Sequence, residues 1–131
     1  MRYEVSGGNK HKREVVDKAM SCVIHLVKIP SSIYVEISFI KSGNHGVVQD
    51  TKTRFLIEIN STVCLAEIAY TVFHEMKHVE QLVSGKLQHT YNKTLWMGED
   101  HTETPYFQCP WEVEAYKFEK SADLVLTSIA A

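Results

Sequence analysis

The sequence predicts an α+β fold in which a small sheet carries one long amphipathic helix. Three stretches predict it. Ile33–Ile40 and Arg54–Asn60 alternate apolar with polar residues, the period of a strand. Across Ala66–Val83 and its flank, Leu65, Ile68, Ala69, Val72, Met76, Val79 and Val83 recur at helical spacing. Near the end of the chain Trp111, Ala115, Phe118, Ala122, Val125 and Ile129 form a second helical stripe. The 131 residues suit one ordinary domain spanning 1–131.

Taken in order, Met1–Asn9 ends in Gly7-Gly8-Asn9, a break before the first regular element. Lys10–Lys28 reads as a helix with Val15, Val16, Ala19, Met20, Val23, Leu26 and Val27 on its apolar side, ended by Pro30. Its first turn carries Lys10-His11-Lys12-Arg13, the unfavourable end for positive charge, so these side chains are expected to extend into water. Ile33–Ile40 is a strand, Ser42–Gly46 a turn, Val47–Gln49 a short strand, Asp50–Thr53 a turn, and Arg54–Asn60 a second good strand. Asn60, Ser61 and Thr62 offer N-caps for the central helix, and Gly85 offers a left-handed C-cap. Lys86–Cys109 is irregular and is expected to form a lid or hairpin over a cleft, held partly by Trp96. Pro110 suits the first position of the last helix.

Composition narrows the function classes. With 44% hydrophobic and 23% charged residues the chain reads as globular. A net charge of -2 argues against a dominant nucleic-acid surface, leaving only Lys10–Arg13 as a local basic patch. Cys22, Cys64 and Cys109 are widely spaced and odd in number, which fits free thiols rather than a disulfide framework or a cysteine-rich metal site. No apolar signal region opens the sequence and no run is long enough to span a bilayer, so a cytoplasmic protein without membrane partners is expected.

The chemistry is concentrated in His74-Glu75-Met76-Lys77-His78. Residues four apart on a helix share a face, so His74 and His78 can aim two imidazole nitrogens at one point, a geometry zinc accepts. Glu75, offset by about a third of a turn, falls beside such an ion and could take a proton from a water. A polar face of Glu67, Thr71, His74, His78 and Gln81 would open to the cleft. The plainer alternative is a surface helix with two solvated histidines. A catalytic zinc usually has three protein ligands, so a third must come from another element. His89 and His101 are histidines without a supporting pattern. Helical periodicity does not choose between Glu112 and Glu114 in the last helix. The strand before the central helix could hold an extended peptide if it lies at the sheet edge; an interior position is equally compatible with the sequence.

His74-Glu75-x-x-His78, followed by a helix starting Trp111-Glu112-x-Glu114-Ala115, resembles the gluzincin branch of zinc metallopeptidases. The fuller strings, His74 to Gln81 and Pro110 to Tyr116, are similar to small zincin-like proteins of phages and bacteria and, more distantly, to SprT-like and ImmA-like peptidases. The resemblance covers about the second half of the chain and the strand before it. It implies a minimal zincin-like fold, with the C-terminal helix closing the site. It also implies one zinc ion on His74, His78 and Glu112, with Glu112 chosen because a small residue, Ala115, follows three positions later. Glu75 would be the general base, and the substrate a peptide or protein. A phage-encoded chain would work in the host cytoplasm. Many gluzincins carry Asp one residue beyond the small residue, where it supports a histidine ligand; here Tyr116 stands there. Tyr91, Tyr106 and His101 are candidates by type for stabilising the oxyanion. The reading of a different class is a non-catalytic zinc-binding interaction module with the same fold.

Overall fold

A computed structural model describes residues 1–130, with side chains as far as Thr127. The chain runs β1 (Arg2–Ser6), α1 (Lys10–Val23), β2 (Tyr34–Ile40), β3 (Gly46–Thr51), β4 (Arg54–Asn60), α2 (Leu65–Ser84), β5 (Leu87–His89), β6 (Thr94–Trp96), β7 (Glu99–Asp100), α3 (Pro110–Glu119) and α4 (Asp123–Ala130). The fold is mixed α and β, built on a four-stranded sheet ordered β1-β2-β4-β3. The first three strands in that order are parallel, and β3 runs antiparallel along β4.

Strand alternation decides which face is covered. Ile33, Val35, Ile37, Phe55, Ile57 and Ile59 are all at most 3% exposed and join Val16, Met20, Ile68, Val72, Phe73 and Met76 of α1 and α2 in one core. Burying such side chains supplies the main driving force for folding, roughly 1.5–3 kcal/mol each. Gly85 ends α2 at φ 80, with its N–H on the Leu82 carbonyl, the left-handed cap expected of it.

Several elements differ from the sequence reading. Arg2–Ser6 is a strand rather than an irregular lead-in, paired with β2 from Arg2 on Tyr34 to Ser6 on Ser38. The helix α1 stops at Val23, short of Lys28, and Leu26 is left 46% exposed. Lys12 and Arg13 do not simply extend into water: Lys12 Nζ donates to the Ser61 carbonyl and Arg13 Nη1 to that of Gly8. The N-cap of α2 is Cys64, while Asn60 Oδ1 accepts from Thr62 in the turn before it. The last helix is two: α3 and α4 are joined by a 3₁₀ turn, Lys120–Ala122, whose tighter bonds interrupt the α-helical pattern. The apolar stripe survives the change of pitch, with Ala115 and Ala122 fully buried and Val125 at 4%. The expected packing of Ile129 lies outside the described side chains. Among the described residues no helix is long and apolar enough to cross a membrane.

The strand feeding α2 is interior, since β4 pairs with β2 on one side and β3 on the other. The sheet edge beside α2 is β3, the short strand after the Ser42–Gly46 turn. Lys86–Cys109 forms a three-stranded antiparallel sheet, β5-β6-β7, followed by a 3₁₀ turn at Tyr106–Gln108. Trp96 of this sheet stands 6.4 Å, ring to ring, from Trp111 of α3.

Candidate metal centre

The middle of α2 is buried on its polar side as well. His74, Glu75 and His78 are 8%, 6% and 6% exposed, and Glu112 at the start of α3 is 7% exposed. The ring nitrogens and the carboxylate converge: His74 Nε2 lies 3.0 Å from Glu112 Oε1, and His78 Nε2 lies 3.2 Å from both Glu112 oxygens. Within His74, His78 and Glu112, one ligand atom from each lies within 4.8 Å of the others. Zinc bonds of about 2.0–2.1 Å in tetrahedral geometry put ligand atoms about 3.3 Å apart, close to the two histidine–Glu112 distances, so this group could hold a metal ion.

The outer ring nitrogens bear on whether the group could hold a cation. His74 Nδ1 meets Glu119 Oε1 at 3.0 Å, and a carboxylate only accepts, so Nδ1 carries the hydrogen. His78 Nδ1 meets Gln81 Oε1 at 2.7 Å. The Gln81 amide is oriented by its own donations to the Trp111 carbonyl and Glu114 Oε1, so Nδ1 of His78 is again the donor. In the neutral rings both Nε2 atoms then face Glu112 with lone pairs. Lone pairs against a carboxylate repel unless a metal ion, or a proton on each ring, lies between them.

The titration directions follow. Burial alone would lower the pKa of both histidines, but the hydrogen bonds to Glu112 and the nearby carboxylates outweigh it, and both rise. Burial would raise Glu112, but the two histidines overcome that and hold it at about 2. Burial raises Glu75. The metal-free protein therefore gains stability from Glu112 above its ordinary value of 4.5 and loses that gain as the pH falls toward about 2. The histidine contribution is complete below 6.5 and is lost as the pH rises through their raised values, and Glu75 adds to the alkaline loss. Melting curves in chelator should peak on the acid side of neutrality, and zinc should restore the alkaline limb.

Glu119 stands where the resemblance left a gap. It lies seven residues after Glu112 on the same side of α3 and takes the part expected of an Asp one residue beyond Ala115. Tyr116 instead packs its ring edge-on to His74 at 4.5 Å. Outer partners of this kind typically change metal affinity 10–100-fold. Glu119→Ala should weaken zinc binding by about that factor in a competition titration, without abolishing it.

The remaining expectations divide. Glu114 points away from the centre, to Gln81 and, at 3.9 Å, to Lys77 Nζ. Of the three oxyanion candidates, only Tyr106 reaches the centre, donating its hydroxyl to Glu112 Oε1 at 3.1 Å. Burial, with Tyr116 and Glu112 nearby, pushes its pKa far up, so it remains a donor. Tyr91 is fully exposed at the β5–β6 turn, and His101 bonds Thr104 and packs on Trp111. His89 is exposed and belongs to no ligand group among the described residues. The basic helix start, tied to backbone carbonyls, lies outside the cleft.

Glu75 is the unusual member. Its buried carboxylate forms no hydrogen bond and no ion pair with any described residue. It lines both lobes of a cleft. One lobe, about 380 Å³, runs past His74 to Glu67, Tyr70 and Glu119. The other, about 280 Å³, runs past His78 between the edge strand β3 and Leu82, Leu87 and Trp111. His45 and Tyr106 border both lobes. The turn holding His45 carried no motif, so the sequence reading passed over it.

Comparisons with models of protein families, with curated proteins and with solved structures found no match for this chain.

Proposed function

We propose that the protein is a zinc-dependent metallopeptidase of the gluzincin type on a minimal zincin-like fold, with zinc held by His74, His78 and Glu112. The observation that carries the reading is Glu75, whose side chain is buried while its carboxylate, hydrogen-bonded to no described residue, opens on the cleft beside His74 and His78. A purely structural metal site has no use for a carboxylate that makes no hydrogen bond and opens on a cleft beside the ligand group. Further support comes from the sheet: β3 presents an open edge along the cleft, where an extended peptide can pair with backbone groups.

When bound, zinc would supply Lewis-acid polarisation of the scissile carbonyl and a lowered pKa for a water. Glu75 takes a proton from the attacking water as its oxygen bonds to the carbonyl carbon. The same carboxyl returns the proton to the amine as the C–N bond breaks. The Tyr106 hydroxyl, which donates to Glu112 Oε1 in this structure, turns its one hydrogen to the oxygen on which negative charge develops. Glu119 and Gln81 hold the two imidazoles with Nε2 inward.

The second reading, a zinc-binding interaction module, has one observation in its favour. Phe107 is 74% exposed and lies against the partly exposed Tyr106 and Tyr116, an apolar patch beside the centre. The two readings separate in one assay. Zinc-loaded protein should cleave members of a quenched-fluorescent peptide library, and chelator should stop cleavage that added zinc restores. Zinc binding with no cleavage of any member would leave the interaction module.

A further inference from the structure

The Ser42–Gly46 turn is built around one residue, Asn60, at the end of β4. Its backbone N–H donates to His45 Nδ1 at 3.0 Å, and its side-chain amide donates to the Gly43 carbonyl at 2.9 Å. The oxygen of the same amide accepts from Thr62 N and Oγ1 at 2.9 and 2.7 Å, which fixes its orientation. The turn is thus clamped to the sheet at both Gly43 and His45.

The clamp has a chemical consequence. A backbone N–H can only donate, so His45 Nδ1 must be the bare nitrogen and the hydrogen sits on Nε2. That N–H has no acceptor within hydrogen-bond length; the nearest described carboxylate oxygen paired with it is Glu67 Oε1 at 3.9 Å. The side chain is 25% exposed and borders both lobes of the cleft together with Glu75 and Tyr106. Directly after it, Gly46 begins the open-edged strand β3. A donor with a fixed tautomer, unsatisfied within the protein, therefore stands at the waist of the cleft where a strand-like ligand would enter. Tyr106, bonded to Glu112, already occupies the place next to the metal ligands, so the acceptor for His45 is a different oxygen.

We infer that His45 is a substrate-binding residue whose Nε2–H donates to a backbone carbonyl of the bound peptide other than the one being attacked. The inference rests on the peptidase reading. It assigns Asn60 as the positioning residue that sets the tautomer. It also says what kind of group the site recognises there: main-chain carbonyl rather than a particular side chain, so His45 contributes affinity without sequence preference. An interaction held equally in the ground and transition states changes KM and leaves kcat alone.

The test uses full-length zinc-loaded protein and the best-cleaved member of a quenched-fluorescent peptide library. His45→Phe keeps a ring of similar size and removes the donor; it should raise KM about 3- to 10-fold with kcat within about twofold. His45→Gln, which keeps an N–H donor, should recover most of the loss. Tyr106→Phe should instead lower kcat. Nitrogen-15 spectra of the wild-type imidazoles, recorded without substrate, should show His45 protonated at Nε2 and bare at Nδ1. A folded His45→Phe protein with unchanged KM, a loss confined to kcat, or a hydrogen on Nδ1 would each overturn the assignment while leaving the peptidase reading intact. A wild-type protein that binds zinc but hydrolyses no library member overturns the peptidase reading, and the assignment with it.

Discussion

Glu112→Ala and His78→Ala should each reduce bound zinc from about one ion per chain to none in elemental analysis, whereas Glu114→Ala should retain it. The two glutamates are two residues apart on one short helix, yet they face different groups. Glu112 is buried against both imidazoles, and Glu114 is half-buried against the Gln81 amide. Removing Glu112 leaves two rings with nothing to share. Removing Glu114 costs only an acceptor for Gln81, which still donates to the Trp111 carbonyl. Saturating zinc should stabilise the wild type by several kcal/mol, since binding only to the folded state adds about 2.7 kcal/mol at a hundredfold excess over Kd. The shift should vanish in Glu112→Ala and survive in Glu114→Ala. Zinc retained in Glu112→Ala and lost in Glu114→Ala would move the third ligand.

The second large effect concerns Glu75. Glu75→Gln should lower peptide hydrolysis by about 10²- to 10⁴-fold, the usual contribution of a positioned general base, while zinc content stays near one. The same substitution should raise the melting temperature. In the wild type the buried Glu75 carboxyl has no described hydrogen-bonding partner, and burial raises its pKa. A neutral amide of the same shape removes the cost of ionising it there. Gain of stability with loss of turnover is the mark of a group retained for chemistry. A variant that loses both stability and zinc would place Glu75 among the structural supports of the site.

How much of this could be read in the sequence depends on whether the signal was local. The α2 helix and its glycine cap were legible because period and cap both lie within the element. The convergence of His74 with His78 follows from helix geometry alone. Glu112 was singled out only through the resemblance, because periodicity left Glu114 equally open. The deciding fact is the rotation of α3 against α2, a tertiary property. Gln81, three residues after His78, was legible as part of the polar face, and Glu119, two turns beyond Glu112, carries the same kind of signal on the ligand face. His45 had none, since its importance comes from a hydrogen bond to Asn60, 15 residues away. The strand β1 was missed because a five-residue run with Arg2, Glu4 and Ser6 on one face buries little by itself. It becomes a strand by pairing with β2 after the α1 crossover.

The two halves of the candidate metal centre are separated by a long stretch of chain: Glu112 lies 38 residues after His74 and 34 after His78. Everything between Gly85 and Cys109 is therefore a loop pinned at both ends, by the helix cap on one side and the ligand-bearing helix on the other. Doubling the length of such a loop costs only about 0.6 kcal/mol in closure entropy. The segment can lengthen, shorten or change its small sheet at little thermodynamic penalty while the ligand geometry stays fixed. Since Leu87, His89 and Tyr106 of that segment wall the cleft, insertions there would reshape the cleft without moving His74, His78 or Glu112.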